Sequence, residues 1–279
     1  MPIHDQGYRH YEGTRAPHGG AWWIIARSHM VALLMYRWFQ ILLLVSFGPF
    51  VVRAVQIYFA STNPQVAQIL GTTPDLFRDF LSQQRLFVFL VVIMQSGLIA
   101  DDRRTNALQL YLSKPLTRVE YVLGKLVPPL AFVLGVTLVP ALLLLILQVV
   151  FAGSWTFLRD NLFLLPAITL VSLAQALVSA CALLALSSLS KSRRFVAVMY
   201  AGIIFFTAAL YQVLRGITGS RTWAVISPGE MLDVIANATF RGRAVPAVPV
   251  VVAVIVIFVI VGVAILILER RIRAVEVVA

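Results

Sequence analysis

One cysteine, Cys181, occurs in 279 residues, so the chain can form no intrachain disulfide and no cysteine-based zinc site. Histidine is as sparse. His4, His10, His18 and His29 all precede the first long apolar run. The long apolar runs themselves hold no His, Asp or Glu. That excludes an intramembrane haem pair, a buried metal site and a carboxylate proton relay. HExxH, GxSxG and Walker A patterns are missing too. The nearest fragment, Leu123-Gly124-Lys125-Leu126, has neither the glycine-rich loop nor the Ser/Thr after lysine. We therefore expect no catalytic residue, no metal, no cofactor and no ATP hydrolysis by this chain. Charge is scarce: 13% of residues are charged and 60% are hydrophobic, whereas a soluble domain carries about 25% charged residues. With a mean hydropathy of +0.89, the chain reads as a polytopic membrane protein. Its net charge of +11 would suggest nucleic acid in a soluble protein. Here the cations fall between apolar runs, where they set orientation, and no nucleic-acid partner is expected.

A membrane span needs about 20 mostly apolar residues. Six segments qualify: Trp38 to Ala60, Leu81 to Ala100, Leu126 to Phe151, Leu162 to Leu186, Phe195 to Leu214, and Val245 to Leu268. The expected architecture is all-α, one transmembrane domain over 1–279. It comprises a polar tail 1–19, an interfacial helix 20–37, six spans over 38–268 and a cytoplasmic tail 269–279. The polar first 20 residues give no sign of a cleavable signal peptide, so the first span would direct insertion. With the N-terminus inside, 15 of the 23 Lys and Arg residues fall on the inner side and seven on the outer, with Arg53 inside a span. That excess puts both termini in the cytoplasm. From Ala21 to Ala60 the chain is apolar-rich for longer than one crossing needs. Trp22 and Trp23 suit an interface, and Arg27, Ser28 and His29 interrupt the pattern. We read Gly20 to Met35 as a helix along the cytoplasmic membrane surface; a long tilted span with a protruding end is the other reading.

The most informative segment is GLIADDRRTNALQLYLSKPLTRVEYVLGKLVPP, residues 97–129. Asp101 and Asp102 are placed to cap a new helix. Asn106 to Leu112 reads as helix, with Leu108, Tyr111 and Leu112 on one apolar face. Lys114-Pro115 stops it. Thr117 and Glu120 then form a capping box for a second helix, which runs through Gly124-Lys125 into the third span. The order of residues — an acidic pair, a short amphipathic helix ending Leu110-Tyr111-Leu112-Ser113-Lys114-Pro115, then Gly124-Lys125 — resembles the segment after the second span in permeases of the ABC transporter type-2 family. The family's usual Gly-Thr pair is replaced by Asn106-Ala107, and Tyr111 interrupts its leucine run. The resemblance implies a coupling helix that docks on a separate ATP-binding cassette subunit through Asp101, Asp102, Arg103, Arg104, Leu108, Tyr111, Leu112 and Lys114. It also implies a second permease subunit, as homodimer or heterodimer, embedded in membrane lipid. The Glu-Ala-Ala segment of binding-protein-dependent importers has no counterpart, so export is expected.

Polar groups in the spans have two readings each. Arg53 either snorkels to the outer headgroups or lines a substrate path, and Pro49 should kink its span. Ser172, Gln175 and Ser179 share a face of span four, as Tyr200, Thr207 and Tyr211 share one of span five. Helix packing is the simpler role for both sets, a substrate route the sharper one. Gln95 and Ser96 on span two are equally open. Pro128, Pro129, Pro140 and Pro166 should bend spans three and four. In the outer segment 215–244, Ser227-Pro228 should open a short helix that either dips into the membrane or rests on its surface. The function expected is ATP-driven transport by a permease subunit in the inner membrane. An ATP-independent channel or secondary transporter, or a membrane anchor for a cytoplasmic complex, are the alternatives.

Overall fold

In hydrocarbon a backbone must satisfy its own hydrogen bonds, and helices do so within each segment. The computed structural model describes residues 20–62, 73–107, 117–152, 156–242 and 246–276, and every regular element among them is helical. Five helices are long and apolar enough to cross a membrane: 37–62, 118–151, 164–189, 193–218 and 250–271. In chain order the elements are α1 (Ala21–Leu34), α2 (Arg37–Ser46), α3 (Gly48–Thr62), α4 (Thr73–Gln83), α5 (Arg85–Met94) and α6 (Ala100–Arg104). There follow α7 (Arg118–Ala152), α8 (Thr156–Asp160), α9 (Leu164–Leu189), α10 (Arg193–Thr218), a 3₁₀ turn (Thr222–Ile226), α11 (Pro228–Thr239) and α12 (Val250–Glu276).

α9 is the central post. In its most apolar stretch 67% of residues are buried, against 11% for α2–α3 and 17% for α10 and α12, whose outward Leu44, Val198, Phe206 and Phe258 are exposed. Such broad apolar surfaces suit contact with lipid or a second subunit. One core, around Phe39, Val91, Val133 and Leu183, fills the end of the bundle that carries α6. A second, around Phe77, Phe80, Leu144 and Ile168, fills the opposite end. A third, around Met231, Ile235 and Ala253, holds α11 against α12.

Two expectations are corrected. The segment 81–100 is not one continuous span. Gln84 separates α4 from α5, and after Met94 the chain turns through Gln95–Ile99. Gly97 leaves room there for the Asp101 carboxylate and for Arg193, whose Cδ would lie 3.2 Å from a Cβ. Asp101 and Asp102 do not cap the next helix. Ile99 is its N-cap, and the first turn holds both acids. Pro128, Pro129 and Pro140 all lie inside α7, a single helix of 35 residues. Pro166 lies in the first turn of α9, where a missing N–H costs no helical bond.

Span one does break beside Pro49, at Phe47. Opposite that break, buried Gln84 donates through Nε2 to the Ser46 carbonyl at 3.0 Å. Two interrupted helices are thus joined at their interruptions. α11 begins at Pro228 with Ser227 Oγ accepting the Glu230 N–H at 3.5 Å. It runs alongside the α4–α5 segment: Arg85 of α5 reaches its first turn at Gly229, and Arg78 of α4 reaches Asn237 near its end at 3.1 Å.

Candidate functional site

Tyr121 and Lys125 are one turn apart on α7, so both side chains leave the same face. That face meets α1 and α6. Asp102 Oδ2 accepts from the Tyr121 hydroxyl at 2.8 Å and from Lys125 Nζ at 2.5 Å. Lys125 Nζ also lies 2.6 Å from His29 Nε2 of α1. Lys125 and Tyr121 have no exposed surface and Asp102 is 9% exposed. An ammonium only donates, so His29 Nε2 must accept, and the ring is neutral with its proton on Nδ1. α1 is held close beside this network. A Cβ at Gly124 would stand 2.9 Å from both the Trp22 carbonyl oxygen and Ile25 Cβ.

The start of α6 is fastened to α9 by one hydroxyl. Ser187 Oγ accepts the N–H groups of Ile99 and Ala100, each at 3.0 Å, and donates to the Ser96 carbonyl at 3.0 Å. It performs the capping expected of the aspartates. Arg103 reaches back to the Ser188 carbonyl, and Arg193 of α10 donates to the Met94 carbonyl at 2.6 Å. Asp101 is half-buried and pairs at 3.5 Å with Arg104, which is exposed. Asn106, at φ +57°, breaks the helix after α6; asparagine tolerates that left-handed conformation. Leu108, Tyr111, Leu112 and Lys114 lie outside the described residues. The Thr117–Glu120 capping box forms, with Glu120 Oε2 accepting the Thr117 N–H at 2.9 Å and Thr117 Oγ1 accepting the Glu120 N–H at 3.2 Å.

Burial, and then the neighbouring Lys125 charge, push the His29 imidazole down from 6.5 to about 4; Asp102 and Asp101 oppose this more weakly. Between those values the unfolded chain binds a proton that the folded chain refuses. This part of the stability is therefore complete above pH about 6.5 and is lost as pH falls toward 4, to a limit of about 3 kcal/mol. Thermal unfolding of the full chain in mild detergent across this range should show the loss. His29→Gln, whose amide oxygen can still accept from Lys125, should flatten that part of the profile.

The polar span residues separate into groups. Gln175 and Ser179 of α9 and Tyr200 and Thr207 of α10 line one cavity of about 510 Å³, closed beyond by α11 and α12. Tyr211 instead lines a second cavity of about 360 Å³ with Arg78, Arg215, Arg221, Glu230 and Asp233. Gln95 lines a third, of about 390 Å³, with His29, Leu33, Asp101 and Arg193. Its Nε2 donates to the Val91 carbonyl at 3.1 Å while its buried Oε1 has no partner. Ser172 is fully buried with its hydroxyl unpartnered, outside these cavities. Arg53 lines none of them; it bonds Gln56 on its own helix at 3.0 Å. The described residues hold no group of three or more His, Cys, Asp or Glu that could ligate a metal. Sequence reasoning missed His29, Tyr121, Lys125 and Ser187 as members of a network. The readable signal was Tyr121 and Lys125 at i, i+4 in an otherwise apolar run.

The family profile described as ABC-2 family transporter protein matches residues 23–273. No curated protein matches the chain. The profile covers α1, all five long helices and the network that joins α1, α6 and α7. The chain is a multi-pass membrane permease and belongs to the ABC-2 family of transporter proteins.

Proposed function

We propose that this chain is the membrane subunit of an ATP-driven exporter, moved by a separate ATP-binding cassette subunit docked on residues 101–114. The observation that carries the reading is how the root of this segment is fastened. Asp102 ties it to Lys125 of α7 and through it to His29 of α1, and Ser187 ties it to α9. A rigid push on the segment therefore reaches three membrane elements at once. Asp101 and Arg104 stand at its rim and Arg103 beside them; Leu108, Tyr111, Leu112 and Lys114 supply the docking contact.

The same reading assigns six crossings. The second crossing is residues 81–100, where α5 (Arg85–Met94) and the turn at Gln95–Ile99 form an interrupted span. The excess of Lys and Arg at the α6 end puts that end, α1 and both termini in the cytoplasm of an inner-membrane protein. A second permease copy or relative completes the path, because closed two-fold assemblies are the default. This subunit takes no cofactor and does no covalent chemistry.

The experiment is charge reversal at Arg104, alone and with Arg103, together with Leu108→Ala. Copurification of the ATP-binding subunit and substrate-stimulated ATPase should each fall by about tenfold, since few contacts carry most docking energy. Wild-type values for both would remove the docking assignment.

A further inference from the structure

Two cavities beside α11 share the lining residue Glu230, and their chemistries differ. The first is an apolar slot. It follows α9 from Gln175 to Leu186, eleven residue steps or about 16 Å, and is walled opposite by Phe89, Ile204 and Ile260. The second is charged. α10 lines both, with Tyr200 and Thr207 in the slot and Tyr211 and Arg215 in the charged cavity. Glu230 belongs to both, and the Arg85–Asp233 ion pair stands where they meet.

The charges are unevenly placed. Asp233 is taken by Arg85, and Arg78 is held by Asp75 at 3.3 Å, Asp79 at 3.0 Å and Asn237 at 3.1 Å, so the four guanidiniums and four carboxylates balance in total. At the other side of the cavity Arg215 and Arg221 line the wall with Glu230 as the one carboxylate not bound to Arg78 or Arg85 in an ion pair. Guanidinium groups suit a phosphodiester, and a long narrow apolar slot suits an extended acyl chain. A volume of about 510 Å³ for the slot is within the range of ligand sites.

We propose that α9, α10, α11 and α12 of a single chain form a phospholipid site, with the phosphodiester at Arg215 and Arg221 and one acyl chain in the slot past Thr207 and Tyr200. The topology proposed above places the headgroup end at the outer leaflet, and only that placement rests on it. Binding itself requires neither nucleotide nor the ATP-binding subunit.

The test uses the full chain in phosphatidylcholine vesicles doped with phosphatidylglycerol that carries a diazirine near the end of one acyl chain. A matched diacylglycerol with the same diazirine and no phosphate is the control. After illumination, labelled peptides are mapped by mass spectrometry. The phosphatidylglycerol probe should label Phe89, Tyr200, Ile204 and Ile260 about tenfold more than the diacylglycerol probe. Arg215→Gln with Arg221→Gln, both at exposed positions, should reduce slot labelling to the control level and leave labelling of lipid-facing Phe206 and Phe258 unchanged. Ala182→Trp, which fills the slot, should abolish slot labelling without touching the charged end. Equal labelling by both probes, labelling confined to Phe206 and Phe258, or slot residues crosslinked to a second copy of the chain would each overturn the site. None of these outcomes bears on the coupling assignment, which is read from ATPase docking.

Discussion

Lys125→Met destabilises the chain by about 3–5 kcal/mol, because it leaves the Asp102 carboxylate buried without its countercharge. The lysine side chain has no exposed surface and its ammonium lies 2.5 Å from Asp102 Oδ2. Asp102→Leu alone should cost a similar amount for the converse reason, a buried ammonium deprived of the carboxylate bonded to it. The pair of substitutions together should recover most of the loss and stand within about 1–2 kcal/mol of the wild type. What remains is the Tyr121 hydroxyl and the His29 ring, each deprived of a partner. Denaturant titration of the full chain in mild detergent, followed by tryptophan fluorescence, measures all three variants. Losses that simply add would show that Asp102 and Lys125 do not act as a pair.

Much of the fold was legible because apolar length and local capping are properties of contiguous residues. Trp22 and Trp23 with the following polar interruption marked α1, which runs over Ala21–Leu34. Thr117 and Glu120 marked the start of α7, and Ser227-Pro228 the start of α11. Segment 81–100 misled because hydropathy does not register a turn. The tightened bonds from Gln95 and Ser96 back to Val92 and Ile93 end α5 inside an apolar run.

The network was illegible for a different reason. Periodicity tells which residues share a helix face, not which faces meet. His29 and Lys125 are 96 residues apart, and Asp102, which reads in sequence as a helix cap and docking contact, is bonded to Lys125 and Tyr121. Ser187 lies one residue past the expected end of span four, yet it serves three backbone groups of the 96–100 turn. The polar faces of α9 and α10 were likewise read separately. Gln175, Ser179, Tyr200 and Thr207 turn out to face one slot, whereas Ser172 and Tyr211 leave it.

Gly124→Leu should separate α1 from the bundle. Glycine in a helix interior normally costs about 1 kcal/mol relative to alanine, so a substitution here gains that much in helix propensity. The gain is outweighed. A Cβ would lie 2.9 Å from the Trp22 carbonyl oxygen and 2.9 Å from Ile25 Cβ; one is backbone, the other bonded directly to it, and neither can swing away. Overpacking of this kind costs about 1–3 kcal/mol, so Gly124→Ala should be destabilising by a small net amount and Gly124→Leu by the full range or more. Displacing α1 also withdraws His29 from Lys125, so the two positions should be coupled. His29→Gln, made in the Gly124→Leu background, should add little to the loss already incurred. Tryptophan emission should shift as well, because Trp22 and Trp23 stand on the helix that moves. A Gly124→Leu chain with wild-type stability and emission would mean that α1 is not held against α7. The lever would then end at Asp102 and Lys125 without reaching the helix ahead of span one.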